Sequence, residues 1–302
     1  MTNAVRIKER VRDHYTRAVE GRGGCCGPPS NQVRQEGGEA STKSACCGGA
    51  GSELVELSGY KKEELANLPE DAVKSSFGCG NPVAFAGVQE GQTVVDIGSG
   101  AGIDCLLAAE RVGPEGRVIG LDMTPVMIER ARANARKAGA DNVEFRLGDA
   151  ETMPIDDENV DWIVSNCVIN LAPDKKKVFR EAYRVLRPGG RVSVSDIVAR
   201  IPRPFRASAL YASCLSGALP EEDYLDAIKS AGFTDVEVID RHVYDTEQLS
   251  ALFGEHGWVG AFLRRAASPR SRVLRPLANR LLGRVASIQV SAVKPTRKQA
   301  AA

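Results

Sequence analysis

Strand and helix patterns alternate along this chain of 302 residues from Gln92 onward, and this alternation constrains the fold more than any other feature. Short apolar runs predict strands at residues 93–97, 117–122, 142–147, 160–166 and 190–198, and helical patterns lie between most of them, at residues 104–112, 125–139 and 175–186. Such alternation is typical of a doubly wound parallel sheet. Two further runs, at residues 235–240 and 286–293, predict final strands at one edge. The expected fold is therefore α/β, with a mostly parallel seven-stranded sheet.

The segment before this core has a different composition. Residues 20–52 are rich in glycine, serine and proline without an apolar period, which predicts a mobile Cys/Gly-rich loop. We expect one helix before the loop, at about residues 5–19, and another after it, at about residues 52–67.

Helical insertions are expected on the other side of the core, at residues 199–231 and 246–285. We therefore divide the chain into an N-terminal segment (residues 1–75), a core (76–200) and a C-terminal part (201–302).

Composition argues against several classes of protein. The sequence has no run of 18 apolar residues and no apolar region at its N-terminus, so we expect a cytoplasmic protein without a membrane partner. Aromatic residues make up only 5% of the chain. Basic residues gather between His256 and Ala302, where aromatics do not interleave with them, so a solvated helix face is favoured over a nucleic-acid site. We expect a monomer.

A glycine-rich turn follows the first predicted strand and reads Asp96-Ile-Gly-Ser-Gly-Ala-Gly102. Glycines at such a turn let the backbone approach a ligand, and helix N-terminal amides point at it. A dinucleotide site requires the spacing G-x-G-x-x-G, whereas the spacing here is G-x-G-x-G. Asp96 would also oppose a dianionic pyrophosphate, but it would favour a cationic amino group.

Two more carboxylates follow strands of the predicted sheet. Asp122 ends the second strand, where it can accept hydrogen bonds from both ribose hydroxyls, and Asp149 follows the third, where it can meet an adenine amino group. Over roughly residues 85–200 this set resembles the class I S-adenosylmethionine methyltransferases. The resemblance implies a Rossmann-like fold and S-adenosyl-L-methionine as the methyl donor. The implied donor-binding residues are Asp96, Gly98, Ser99, Gly100, Asp122, Met123, Asp149, Ala150 and Glu151.

The eight cysteines lack the C-x2-C spacing of a zinc finger. Cys167 follows the fourth strand, where a methyl acceptor would be held, and Cys79 and Cys214 can reach the same place from the segments before the first strand and after the fifth. Trivalent arsenic is soft and bonds three thiolates. Its lone pair can attack a sulfonium methyl without a general base, which predicts arsenic as the acceptor.

Four elements then resemble the arsenite methyltransferase family: Phe77-Gly-Cys-Gly-Asn-Pro82, the glycine-rich turn, Ser165-Asn-Cys-Val-Ile-Asn-Leu171 and Ala212-Ser-Cys214. The resemblance implies that Cys79, Cys167 and Cys214 bind arsenite or methylarsenite. It also implies that an N-terminal cysteine, Cys46 or Cys47, takes part in disulfide turnover with thioredoxin or glutathione as reductant. It assigns no role to Cys25 and Cys26, and we interpret Cys105, on an apolar helix, as a core residue.

Two other functions are compatible with the sequence. One is methylation of carbon or oxygen in a small metabolite such as a quinone, which would require a base near the donor methyl. The other is a thiol-rich protein that binds a metalloid and consumes no methyl donor.

Overall fold

The computed structural model describes residues 3–20, 60–75, 80–200, 215, 217–245, 248, 265 and 285–300. Its strands are β1 (Thr93–Ile97), β2 (Arg117–Asp122), β3 (Val143–Leu147), β4 (Val160–Asn166), β5 (Leu186–Val198), β6 (Thr234–Val243) and β7 (Ala286–Val293). All seven strands coincide with predicted strand segments, and four of them, β1, β2, β4 and β7, have the predicted bounds.

The strands form one sheet in the order β3-β2-β1-β4-β5-β7-β6. Strands β1 to β5 are mutually parallel, and β7 runs antiparallel to both β5 and β6. The predicted mostly parallel seven-stranded sheet is therefore confirmed, with β6 at the edge and β7 one strand in. The strand order reverses between β1 and β4, and in open parallel sheets a ligand crevice forms at this point, beyond the carboxyl ends of the strands.

Helices cover the sheet. In chain order they are α1 (Asn3–Val19), α2 (Lys62–Ala66), α3 (Glu70–Lys74), α4 (Pro82–Phe85), α5 (Ile103–Val112), α6 (Pro125–Ala138), a 3₁₀ turn (Ile169–Leu171), α7 (Lys175–Val185), α8 (Glu221–Ser230) and α9 (Arg297–Ala300). Gly139 ends α6 in the left-handed conformation, which glycine adopts without a steric penalty. Within the described ranges, no helix has the length and apolar character needed to cross a bilayer.

Alternating residues of β1 divide the core between the two faces of the sheet. Val95 and Ile97 pack with α7 and α8, including Phe179 of α7. Val94 packs on the opposite face with α5, including Leu106. Because side chains of a strand point alternately to its two faces, Asp96 is directed toward α5. The sheet therefore buries the carboxylate of Asp96 between β1 and α5.

Several predicted boundaries differ from the structure; for example, β3 begins at Val143 instead of residue 142, and β6 covers Thr234–Val243 instead of residues 235–240. Tyr60 and Lys61 are not helical, so the helix predicted over residues 52–67 is interrupted there; α2 covers Lys62–Ala66, and residues 52–59 lie outside the described ranges. The predicted helix over residues 175–186 ends at Val185. Strand β5 begins at Leu186 instead of residue 190, because Leu186 already pairs with Val160. The ladder register then shifts before Arg191, which pairs with Trp162, so residues 187–189, predicted to lie outside the strand, are accommodated within it as an irregularity.

The predicted insertions are described only in part. Helix α8 lies at the end of the segment over residues 199–231, in which residues 201–214 are outside the described ranges. The segment over residues 246–285 also lies outside them, apart from positions 248, 265 and 285. The division of the chain at residues 75 and 200 stays a prediction.

Candidate active site

The turn between β1 and α5 is held against the end of β2. The backbone N–H groups of Gly98 and Ser99 both donate to Leu121 O, at 2.7 and 3.0 Å. Gly98 has a φ of 75°, and a Cβ at this position would collide with the side chain of Val168. Only glycine fits both requirements. The turn therefore brings backbone amides to the carboxyl ends of the central strands, where a ligand can reach them.

Asp122 connects this turn to the start of α6. Its Oδ2 accepts a hydrogen bond from Gly100 N–H at 3.0 Å, and its Oδ1 accepts one from Thr124 N–H at 2.8 Å. Burial raises the pKa of Asp122, although these backbone donors act in the opposite direction. The carboxylate thus fixes the shape of the loop and also faces the space above it.

A cavity opens above the carboxyl ends of β1, β2 and β4. It brings together the following sequence-predicted residues: Gly98, Ser99, Gly100, Asp122, Met123, Asp149, Ala150 and Cys167. Seven of the nine predicted donor-binding residues and one predicted arsenic-binding thiol therefore share one cavity.

Asp96 and Glu151 are the two predicted donor-binding residues that do not line this cavity. Asp96 is buried behind the wall, where its Oδ2 accepts from Cys105 Sγ at 3.3 Å, and burial raises its pKa. Glu151 Oε1 accepts from Asp174 N–H at 3.0 Å. Both carboxylates support the wall from behind.

Helix α1 contributes to the cavity in a way that sequence reasoning missed. Lys8 and Tyr15 of α1 line it. Lys8 Nζ contacts Asp149 Oδ2 at 2.5 Å and Glu151 Oε2 at 2.8 Å. Partial burial lowers the pKa of Lys8, but the hydrogen bonds and charges of the two carboxylates outweigh it and raise the pKa above its ordinary value. This ion pair ties α1 to the residues that follow β3.

Cys167 lies in the wall of the cavity, directly after β4. It is 3% exposed and has a φ of 60°, a left-handed conformation that is unfavourable for any residue with a Cβ. Its backbone N–H donates to Ser195 O at 2.8 Å. Such strain persists only where the surroundings impose it and is common at functional sites.

The thiol of Cys167 is disulfide-bonded in this structure. The other described cysteine, Cys105, has a free thiol. Burial raises the pKa of Cys105 well above its ordinary value, and the residue belongs to the core, as predicted.

The other predicted thiols, Cys79, Cys214, Cys46 and Cys47, lie outside the described residues, as do Cys25 and Cys26. Chain neighbours of two of them are described. The backbone of Gly80, which follows Cys79, is hydrogen-bonded to the side chain of Asn166. Gly217, three residues after Cys214, packs so closely on the backbone of Asn170 that a Cβ there would collide with it. Both neighbours thus lie beside the segment that carries Cys167.

Comparison with known proteins agrees with this geometry. Residues 89–243 match the family described as "Methyltransferase domain". The chain is 44% identical to an arsenite methyltransferase of Halobacterium salinarum, over 76% of this chain and 58% of the relative, and 38% identical to one of Aquipseudomonas alcaligenes, over 65% of this chain and 58% of the relative. The chain thus spans just over half the length of these curated relatives.

A solved structure is similar as well. The arsenic(III) S-adenosylmethionine methyltransferase from Chlamydomonas reinhardtii is 31% identical, with a TM-score of 0.60, over 78% of this chain and 73% of the other.

Proposed function

The chain belongs to the arsenite methyltransferase family, and from this premise we propose that it transfers the methyl group of S-adenosyl-L-methionine to trivalent arsenic held by cysteine thiolates. The observation that carries the proposal is the position of Cys167, which lies in the wall of the same cavity as Asp122 and Asp149. A soft thiolate beside a sulfonium donor suits a soft acceptor.

The donor is proposed to lie along the carboxyl ends of β1 and β2. Asp122 accepts the ribose hydroxyls, and Asp149 accepts the adenine amino group. The turn over Gly98, Ser99 and Gly100 approaches the amino acid end of the donor. Asp96 acts through the loop that it supports, and Glu151 acts through Lys8, which it shares with Asp149. Met123 and Ala150 complete the walls.

The acceptor site is proposed to combine Cys167 with Cys79 and Cys214. The contacts of Gly80 and Gly217 support this arrangement, because each residue is close in the chain to one of the two thiols and lies beside the segment of Cys167. A chain of three residues spans at most about 11 Å.

The proposed step forms an As–C bond and breaks the bond between the methyl carbon and the donor sulfur. The arsenic lone pair supplies the electrons of the new bond, and S-adenosylhomocysteine leaves with the pair from the broken one. Arsenic becomes pentavalent, and two of its thiolates then leave as a disulfide, which returns two electrons and gives methylarsenite. Thioredoxin or glutathione reduces the disulfide with two electrons and two protons, and Cys46 or Cys47 passes the disulfide outward.

No general base is required in this step. Apart from Asp122 and Asp149, the cavity wall contains the carboxylate of Asp104, which burial gives a pKa of about 6. Its Oδ1 accepts from Tyr60 Oη at 2.8 Å and its Oδ2 from Asn166 Nδ2 at 3.3 Å. Both oxygens are engaged within the protein, which favours the arsenic reaction over the methylation of a small metabolite that needs a base.

The test is a turnover assay with the full chain, S-adenosyl-L-methionine, arsenite and glutathione, in which methylated arsenicals and S-adenosylhomocysteine are both measured. We expect both products from the unmodified chain and neither from Cys167→Ser, because a hydroxyl is a poor ligand for a soft centre. Cys105→Ser is the matched control, since it changes a buried thiol outside the cavity, and it should retain turnover. Arsenite binding without any product would instead indicate a metalloid-binding protein.

A further inference from the structure

Helix α1 forms one wall of the cavity. Lys8, Val11 and Tyr15 all line the cavity, and their spacing of three and four residues places them on the same side of the helix. Val11 is 1% exposed, so the middle of this wall is closed to solvent. At the other end of the helix, Val19 O accepts from Arg130 Nη2 of α6 at 2.8 Å. Lys8 therefore attaches α1 from inside the cavity, whereas Arg130 attaches it from outside.

The ammonium group of Lys8 is held in place from behind the cavity wall. Its Nζ donates to Glu151 Oε2 at 2.8 Å, and the side chain of Glu151 is only 7% exposed. Glu151 Oε1 in turn accepts from Asp174 N–H at 3.0 Å. Both oxygens of Glu151 are thus engaged, one by the backbone and one by Lys8, which limits the positions that Nζ can take.

The same Nζ contacts a carboxylate that is open to the cavity. Lys8 Nζ lies 2.5 Å from Asp149 Oδ2, and the side chain of Asp149 is 35% exposed. The other oxygen, Oδ1, accepts from Glu151 N–H at 2.9 Å. A carboxylate has about four lone-pair sites. With one fixed donor on each oxygen, Asp149 cannot rotate freely, yet it keeps acceptor sites for a ligand.

These remaining sites suit an N–H donor of a ligand, because a carboxylate paired with an ammonium group only accepts hydrogen bonds. An acceptor that is oriented in advance discriminates against a ligand without the donor, since a polar group of the site is then left unpaired.

We propose that Lys8 is a positioning residue that holds the carboxylate of Asp149 toward the amino group of the adenine ring, so that the protein selects methyl donors with a 6-aminopurine. Lys8 acts through Asp149 and itself forms no bond to the base in this account. The inference rests on the proposed function, which assigns the adenine amino group to Asp149.

The test is a pair of binding measurements on the full chain that need no arsenic. Calorimetry compares S-adenosylhomocysteine with the analogue in which hydrogen replaces the adenine amino group. The unmodified chain should bind S-adenosylhomocysteine at least about tenfold more tightly, since a hydrogen bond to a charged acceptor distinguishes the two ligands. In Lys8→Met this preference should fall to about threefold or less, because Asp149 loses the contact that orients it. If Lys8 only kept α1 closed, its loss would weaken both ligands equally and leave the preference unchanged.

Arg10→Met is the matched control. It removes a positive charge two residues later on α1, where Arg10 is exposed and lies on a different side of the helix from Lys8. This variant should keep the full preference. A preference lost equally in both variants would mean that the charge of α1 matters and not the contact to Asp149, which would overturn the inference.

A double variant shows whether Lys8 acts through Asp149. Asp149→Ala should remove the preference almost entirely, and the addition of Lys8→Met should change it no further. An unchanged preference in Lys8→Met, or a further change in the double variant, would overturn the inference alone. No preference in the unmodified chain, or a full one in Asp149→Ala, would overturn it together with the assignment of the adenine site. Loss of arsenite turnover in the unmodified chain, with the binding results as expected, would overturn only the proposed reaction at arsenic.

Discussion

Replacing Asp122 by asparagine removes one charge from the proposed donor site with almost no change in shape. The carboxylate accepts from Gly100 N–H at 3.0 Å and from Thr124 N–H at 2.8 Å, and an amide nitrogen cannot accept from either. A hydrogen bond to a charged group contributes about 1.5–3 kcal/mol. With at least one ribose hydroxyl bond lost and the loop disturbed, we expect donor affinity to fall by about 2–3 kcal/mol, or about 30- to 160-fold. Asp122→Ala should lose as much.

Calorimetric titration with S-adenosyl-L-methionine and, separately, S-adenosylhomocysteine measures this loss without any arsenic. The matched control is Asp161→Asn. Asp161 also accepts a backbone hydrogen bond, from Thr93 N–H at 2.9 Å, but it lies at the amino end of β4, away from the cavity. The control should bind the donor with unchanged affinity. The assignment of Asp122 is wrong if its asparagine variant binds as tightly as the unmodified chain, or if both variants lose affinity equally.

Three further predictions follow from the described residues. Because Cys167 has a φ of 60°, Cys167→Gly should be more stable to denaturant than Cys167→Ala by about 1 kcal/mol under reducing conditions, and the reverse order would contradict the strained backbone. Lys8→Met should accelerate amide exchange in α1 about fivefold, because the ion pairs to Asp149 and Glu151 are lost; unchanged exchange would show that they do not hold the helix. Burial raises the pKa of Asp196 to about 7, so its contribution to stability is complete below its ordinary pKa and is lost as the pH rises through 7. Between pH 5 and pH 8, the free energy of unfolding of the unmodified chain should therefore fall by about 2 kcal/mol relative to that of Asp196→Asn, as measured by denaturant titration. Equal pH profiles of the two proteins would refute this pKa.

Local patterns in the sequence were sufficient to predict the sheet. The run Thr93–Ile97 and the run Arg117–Asp122 are strands with the predicted bounds, because apolar residues flanked by turn residues have few alternatives. The glycine-rich turn and Asp122 could be predicted as well, because each lies at the carboxyl end of a strand that the apolar pattern had already located. The start of β5 was missed because the residues that stop α7 are accommodated as an irregularity within the strand.

Contacts between distant segments were not predictable in this way. Lys8 meets Asp149 across 141 residues, and Asn166 meets Gly80 across 86. No spacing in the sequence indicates either pair. In the sequence, Lys8 cannot be distinguished from the other basic residues of α1, which are expected to face solvent. Asn166 was noted only as part of the motif around Cys167. Both roles require the tertiary structure, which brings α1 over the cavity and the Gly80 segment against β4.

A single-turnover experiment tests most directly whether thiolates hold the arsenic during methyl transfer. The full chain is fully reduced, freed of reductant and mixed without oxygen with one equivalent each of arsenite and S-adenosyl-L-methionine. After the reaction, methylarsenite, S-adenosylhomocysteine and protein thiols are counted. The account predicts one methylarsenite and one S-adenosylhomocysteine for every two thiols lost, followed by arrest until glutathione or thioredoxin is added. Methylarsenite formed without loss of thiols, or no methylated arsenic at all, would contradict it.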